Sequence, residues 1–188
     1  MLAVSPASIQ SLAVLFCATG VKRKRNNTSM AISSYIKTLR QHVGNELLIL
    51  PSVTAIIFDD SNRILLAKHA DTKRWVAPGG SIEPNETPVD AVIREVLEET
   101  GLIVEPTKIL GVFGGHEFEV VYSNGDRVTY VMTVYECKVI GGELKPDNSE
   151  TLELRYVGAS ELADFDLALW ANVVLPKMYE SRSETTLH

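Results

Sequence analysis

The chain of 188 residues suits one domain with room for a short appendage, and it is long enough to bury a real core. Its hydrophobic content of 45% and charged content of 22% are ordinary for a globular protein, and no apolar run approaches the roughly 18–20 residues of a membrane-spanning helix. The net charge of −6 hides an asymmetry: residues 1–45 hold six basic side chains and no acid, the remainder 12 basic and 24 acidic, a poor platform for a nucleic-acid backbone.

A body this acidic needs an added cation if it is to handle phosphates, and a metal ion is the obvious one. Cys17 and Cys137 are too few for a disulfide framework and stand in no Cys/His cluster, which argues for a reducing, cytoplasmic setting and against zinc.

In chain order, residues 1–29 are expected to be a disordered leader outside the fold. Their apolar run, Leu12 to Val21, precedes the basic run Lys22-Arg23-Lys24-Arg25, the reverse of a secretory signal. A transit peptide or an anionic-surface patch remains open, and Met30 is an alternative start. Residues 30–46 are expected to hold a helix over Tyr35–Val43, capped by Ser33 or Ser34 and ended by Gly44. The main domain is then expected over residues 47–180.

Leu47 to Asp59 has the Ile/Val/Leu content of a buried strand, with Pro51 confining the central pairing to the part after it. Asp60-Ser61-Asn62 is a turn leading to a second strand, Arg63 to His69, as a hairpin. Later strands are expected at Ile103–Val112, Glu117–Tyr122, Arg127–Ile140 and Leu152–Val157. The turn Ser123-Asn124-Gly125-Asp126 joins the middle pair, Gly141-Gly142 turns the chain before the last strand, and Ser160-Glu161-Leu162 opens a C-terminal helical region. The sum is one α/β or α+β domain with a mixed sheet and no internal repeat.

The chemistry lies between Gly80 and Leu102. Thr87 caps a helix with Pro88 at its first position and an acid at its third, and Gly101 stops it after Thr100. At 100° per residue, Val89, Val92, Ile93, Val96 and Leu97 share one arc, while Glu95, Glu98 and Glu99 share another. Three adjacent carboxylates repel one another and oppose the helix dipole, so a compensating cation is expected, and hard oxygen ligands select Mg²⁺ or Mn²⁺. On any arbitrary helix the same triplet would more often be a solvated acidic face.

The spacing decides between the two. From Gly80 run five residues, Glu86, seven residues, Arg94-Glu95-Val96, one residue, Glu98-Glu99, one residue and Gly101-Leu102. This resembles the Nudix box at every defined position; at average residue usage a chance match in this chain is on the order of one in ten million. The lead-in Trp75-Val76-Ala77-Pro78-Gly79-Gly80 is similar to the family's as well.

The resemblance implies a Nudix-type α/β/α sandwich and hydrolysis of a nucleoside diphosphate linked to another moiety, with ADP-ribose or a nucleotide sugar as the type. It implies Mg²⁺, replaceable by Mn²⁺, with Glu98 and Glu99 as catalytic metal ligands, Glu95 as a further ligand or the base that activates water, and the backbone carbonyl at Gly79 or Gly80 approaching the ion. Arg94 would orient the carboxylates, Gly80, Glu86 and Gly101 would shape the motif, and Glu150 would add a loop carboxylate ahead of Asp147 and Glu153. Trp75, His116 and Arg127 are candidates to touch substrate, each with a plainer role in packing or turns; Trp170 and Tyr130 have weaker cases. A homodimer is among the assemblies the family adopts. Two other functions compete: a ligand-binding regulator on the same fold, which would want an added DNA-binding module, and isoprenoid diphosphate isomerisation, which would want a catalytic cysteine where only Cys137 is on offer. The subfamily position some 16 residues past the box holds Phe118 and names no substrate.

Overall fold

Ser33 is where the described chain begins: the computed structural model describes residues 33–185. The leader expected over residues 1–29, with Cys17 and Met30, lies outside the described residues. Ser33 Oγ accepts the amide hydrogens of Tyr35 and Ile36, capping helix α1 (Ser34–Val43), which Gly44 ends at φ 59°. No side chain of α1 is fully buried. Arg40 anchors the helix instead, donating to the carbonyls of Gly44, Glu46 and Arg127 and lying 3.4 Å from the Asp126 carboxylate.

In order follow β1 (Leu48–Ile56), β2 (Ile64–His69), β3 (Trp75–Val76), β4 (Gly79–Ser81), α2 (Pro88–Thr100) and β5 (Leu102–Phe113). After a one-turn 3-10 helix, His116–Phe118, come β6 (Glu119–Val121), β7 (Arg127–Gly142), β8 (Thr151–Val157) and, past a second 3-10 segment, α3 (Leu169–Thr185). The main sheet runs β4-β1-β7-β5, with β6 alongside the first part of β7; β1 and β7 are parallel and the rest antiparallel. A second sheet, β3-β2-β8, is antiparallel throughout.

Because side chains alternate across a strand, the register sorts the main sheet into two faces. Ile56, Met132 and Val134 join a core closed by Ala171, Val174, Leu175 and Met178 of α3. Val53, Ala55, Tyr135 and Cys137 face the other way, under Ala91, Val92 and Val96 of α2. Burial of each such aliphatic chain contributes about 1.5–3 kcal/mol. The Tyr179 hydroxyl fastens α3 to the second sheet, accepting from Ile64 N–H and donating to the Val157 carbonyl.

The mixed α+β architecture is as expected. Pro51 does bound the two-sided pairing as expected: β1 pairs with β7 from Leu48 through Ile56 but with β4 only at Ser52–Thr54. The Pro51 carbonyl accepts from Ile82 N–H, so its missing amide hydrogen points to the β4 side, just past the last paired residue Ser52, where nothing needs it. Other details differ. The expected β1–β2 hairpin survives only near its turn, in the Phe58–Ile64 bridge and the Leu65 N–H to Ile57 carbonyl bond. Beyond it the strands part into different sheets, β2 taking β8 as its long partner. Gly141 and Gly142 extend β7 opposite Ile103 and Leu102 instead of turning it. The segment expected as a strand from Glu117 begins as a 3-10 turn.

Candidate active site

Two glycines bring the strand and helix of the motif into contact. A Cβ on Gly79 would sit 2.2 Å from the Val53 carbonyl oxygen, so only glycine, at φ 155°, lets β4 lie against β1 here. At Gly80 the Cβ would fall 2.5 Å from Glu95 Oε1: the empty volume beside that glycine is filled by a carboxylate. The loop that follows is closed by Glu86, which accepts from Glu83 N–H at 3.0 Å. Thr87 then caps α2 through the Asp90 amide, and Gly101 ends it in the left-handed region at φ 73°.

Arg94 is the hub. Its Nε and Nη2 form a bidentate pair with Glu86 at 2.7 and 2.8 Å, Nη2 also donates to the Ser81 carbonyl, and Nη1 reaches Glu95 at 2.7 Å and Glu98 at 3.3 Å. Glu86 is held below the usual carboxylate range by that hydrogen bond, which outweighs the cost of its burial. Glu86 thus bonds both to its own loop and to α2, and Arg94 contacts three carboxylates.

The three box glutamates occupy unlike environments. Glu99 is buried, 7% exposed, with one oxygen accepting from Gly79 N–H at 3.0 Å. Burial foremost, and then the charge of Glu95, push its pKa well up, with Glu150 and Asp147 adding to the effect against the Gly79 bond. Glu95 rises to about 7, again chiefly through burial and despite Arg94. Glu98 is 64% exposed and leans toward Arg94. Such buried, mutually repelling acids are what an added cation would stabilise.

The helix face departs from the expected one. Val89 and Leu97, placed on the apolar arc, are exposed, while Glu99 and Thr100 are buried with Ala91, Val92 and Val96. The helix is rolled so that Glu95 and Glu99 meet β4 at the glycine pair.

Loop 147–151 brings the fourth acid. Asp147 accepts amide hydrogens from Ser149, Glu150 and Thr151, and the Glu150 carbonyl accepts from Ala70 N–H, which sets the loop beside the end of β2. Glu150 and Asp147 lie near enough to Glu99 to act on its charge, whereas Glu153 pairs with Arg155 at 2.9 Å. The organising role of Asp147 was legible as an Asp-x-Ser turn, though expected only as a possible ligand.

The other candidates stand apart from this cluster. Trp75 is buried against Phe165, with Lys68 and Arg155 each 5.8 Å from its ring. These two cations belong to no motif and meet Trp75 only in the fold. His116 is exposed on the 3-10 turn, Arg127 is ion-paired with Glu119 at 2.7 Å, Tyr130 shares a 2.7 Å hydroxyl contact with Tyr122, and Trp170 packs at the edge of the α3 core. Cys137 is buried under α2 with its thiol pushed up to about 12 by burial, the opposite of a catalytic thiolate.

Among the described residues no group of three or more Asp, Glu, His or Cys side chains forms a complete metal-binding set. Mg²⁺ does not demand one: it keeps several waters and takes one or two carboxylates. Glu99, buried, and Glu95, largely buried, are both oxygen donors destabilised by their own charge beside a glycine pair, and they fit that requirement. Gly80→Ala tests the cradle. The displaced atoms are the tip of a side chain, so the fold should melt within about 2 °C of wild type, while misplacing Glu95 should lower kcat about tenfold to a hundredfold. Unchanged kcat would mean that the Glu95 position does not matter.

The model of the NUDIX domain matches residues 48–178. A MutT-like protein of Streptomyces ambofaciens is 34% identical over 60% of this chain and 66% of its own length, so the chain spans about two thirds of that relative. An ADP-ribose pyrophosphatase of Methanocaldococcus jannaschii is 33% identical over 69% of this chain and 76% of its own. Among solved structures, an ADP-ribose pyrophosphatase from Streptococcus suis superposes with a TM-score of 0.56 at 27% identity, covering 74% of this chain and 94% of that one.

Proposed function

The chain belongs to the NUDIX family, and from that premise we propose that it hydrolyses the diphosphate bond of a nucleoside diphosphate bearing a second moiety, of the ADP-ribose or nucleotide-sugar type, with Mg²⁺ or Mn²⁺ as cofactor. The observation that carries this is the pair of carboxylates packed against Gly79 and Gly80, buried Glu99 and largely buried Glu95, the latter held by Arg94. The ADP-ribose relatives support the substrate class.

In this proposal Glu95, Glu98 and Glu99 hold the metal together with the Gly79 carbonyl, and Glu150 faces them from the loop. When bound, the dication supplies the positive charge that lets an acidic cleft accept a diphosphate. The chain's own residues do the rest. Arg94, saturated by Glu86, keeps Glu95 and Glu98 aimed rather than neutralising the substrate. Glu95, held near neutrality, or Glu150 takes the proton of the attacking water. Trp75, with Lys68 and Arg155 beside its ring, marks a cationic rim where a phosphate or sugar could rest; His116, exposed on its 3-10 turn, is a further candidate to touch substrate. Residues 47–180 are the catalytic unit, with 30–46 as an added helix.

A panel of ADP-ribose, nucleotide sugars, nucleoside triphosphates and dinucleoside polyphosphates, read out as phosphate release with Mg²⁺ and with Mn²⁺, tests the proposal. Turnover of none of them ends it. For the favoured substrate, Glu98→Gln should lower kcat about a hundredfold with the fold intact, and Glu150→Gln should lose far more than Glu153→Gln. Near-wild-type turnover in Glu98→Gln removes that residue from the mechanism.

A further inference from the structure

α1 is held by polar contacts. None of its side chains is fully buried, and a helix of its length is marginal when alone in water. Its partner is the β6–β7 hairpin. Arg40 Nη2 donates to the Arg127 carbonyl at 2.8 Å, and Arg40 Nε, buried and without a hydrogen bond, lies 3.4 Å from Asp126 Oδ1. Asn45 Nδ2 reaches the Asn124 carbonyl at 3.4 Å. Gly125, at φ 86°, leaves no room for a side chain there: a Cβ would fall 2.8 Å from Asn45 Nδ2. The tip of the hairpin is thus fitted to the C-terminal end of α1.

The same fit sets a pair of phenols. The Asp126 carbonyl accepts from Tyr122 N–H, and the Tyr122 and Tyr130 hydroxyls meet at 2.7 Å. The register puts Tyr130 beside Leu50 of β1 and, two residues on, Met132 beside Ser52, whose buried hydroxyl has no hydrogen-bond partner among the described residues. Ser52 pairs in turn with Ser81 of β4, next to the Gly80 cradle of Glu95. From another direction, Asp71 lies near enough to Tyr122 for its charge to act on the phenol. Asp71 follows Ala70, whose N–H donates to the Glu150 carbonyl. Two chains of contact therefore join the phenols to the carboxylate cluster, one through β1 and β4, the other through the loop after β2.

In the hydroxyl pair one hydrogen is used between the two oxygens and the other is left to donate. Asp71 is exposed and accepts. A donor beside an acceptor matches the edge of a nucleobase, and the phenol rings offer it an apolar surface. A phosphate fits poorly: Asp71 repels it, and Arg40 is already engaged by the carbonyls of Gly44, Glu46 and Arg127 and by Asp126.

We infer that Tyr122, Tyr130 and Asp71 receive the base of the nucleotide substrate, and that Arg40 is the positioning residue that holds the hairpin, from α1, where the two phenols can do so. This rests on the hydrolase reading above and gives α1 a task within it.

Saturation-transfer NMR on the full chain with AMP, GMP, CMP and UMP, in chelator, tests this, with dissociation constants from titration. At least one of the four should bind, with saturation strongest on its base protons, and inorganic phosphate should not displace it. Tyr130→Phe removes a single oxygen and should weaken that binding about fivefold, the contribution of one hydrogen bond; Asp71→Asn should weaken it as well. Arg40→Ala should raise KM about fivefold for the substrate that the hydrolysis panel selects while kcat at saturation stays within twofold, a split that a general loss of fold does not produce. Gly125→Ala, which drives the tip off Asn45 with Arg40 intact, should give the same split and serves if Arg40→Ala does not fold. Binding of none of the four nucleotides overturns the inference, as does binding unchanged in Tyr130→Phe and Asp71→Asn. Unchanged KM in Arg40→Ala and Gly125→Ala overturns the part given to α1. Nucleotide binding in chelator with no compound hydrolysed leaves the phenol site standing and ends the hydrolase reading; hydrolysis with no nucleotide bound does the reverse.

Discussion

Glu99→Gln should lower kcat by about a thousandfold while raising the melting temperature of the metal-free protein. The two effects have one cause. Glu99 is buried against β4, next to Glu95 and near Glu150 and Asp147, and its ionised form is disfavoured there. Glutamine keeps the shape and still accepts the Gly79 amide hydrogen, but it brings no charge into the cluster. Relief of that charge at pH 8 is worth about 1–2 kcal/mol, and each kcal/mol moves the midpoint of a domain this size by about 2–4 °C. The same substitution removes the buried charge on which cation binding rests, and loss of one such preorganised group costs about 10²–10³ in rate. A variant that melts lower than wild type would show that Glu99 is structural. One that melts higher but turns over normally would remove it from the site.

The second large effect is on stability against pH. Glu95 has an ordinary pKa of 4.5 when unfolded and about 7 when folded, and Glu99 shifts the same way. Between those values the folded chain binds protons that the unfolded chain has released, so stability falls as pH rises. The contribution is complete below about 4.5 and is lost through about 7, amounting to about 3 kcal/mol from Glu95 at most. Asp59, Glu86 and Asp147 are lowered instead and act only below their ordinary values, so the window from pH 5 to 8 is free of them. Thermal melts in chelator should therefore drop from pH 5 to pH 8. Millimolar Mg²⁺ should recover the loss at pH 8 and do little at pH 5, because a dication competes with the protons and binds the ionised form. Melts that stay level or rise over this range, with or without Mg²⁺, would contradict the buried-carboxylate picture.

The candidate site was the most legible part of the sequence because its signals are local. Thr87, Pro88 and Gly101 bound α2 as read, and the spacing of Glu86, Arg94, Glu95, Glu98 and Glu99 within 14 residues draws them around one arginine. What escaped depends on distant partners. β3 and β4 are two and three residues long and exist only because β2 and β1 accept them, so no periodicity could announce them. The division into two sheets rests on β8 claiming β2 from nearly 90 residues away. The roll of α2 was hidden for a different reason: hydrophobic periodicity points Val89 and Leu97 inward, but the void at Gly80 is shaped for a carboxylate. Trp75 shows the same limit, since its neighbour Phe165 arrives from a segment with no motif of its own.

The parallel ladder of β1 and β7 has a kinetic consequence. Leu48 meets Val128, 80 positions along the chain, and the glycine pair and α2 all lie in the loop that this pairing closes. Non-local contacts of this kind are slow to form, because closure entropy is spent before any contact repays it. In refolding, far-ultraviolet signal from α2 should therefore recover well before hydrolytic activity, which must wait for β1 to find its place between β4 and β7.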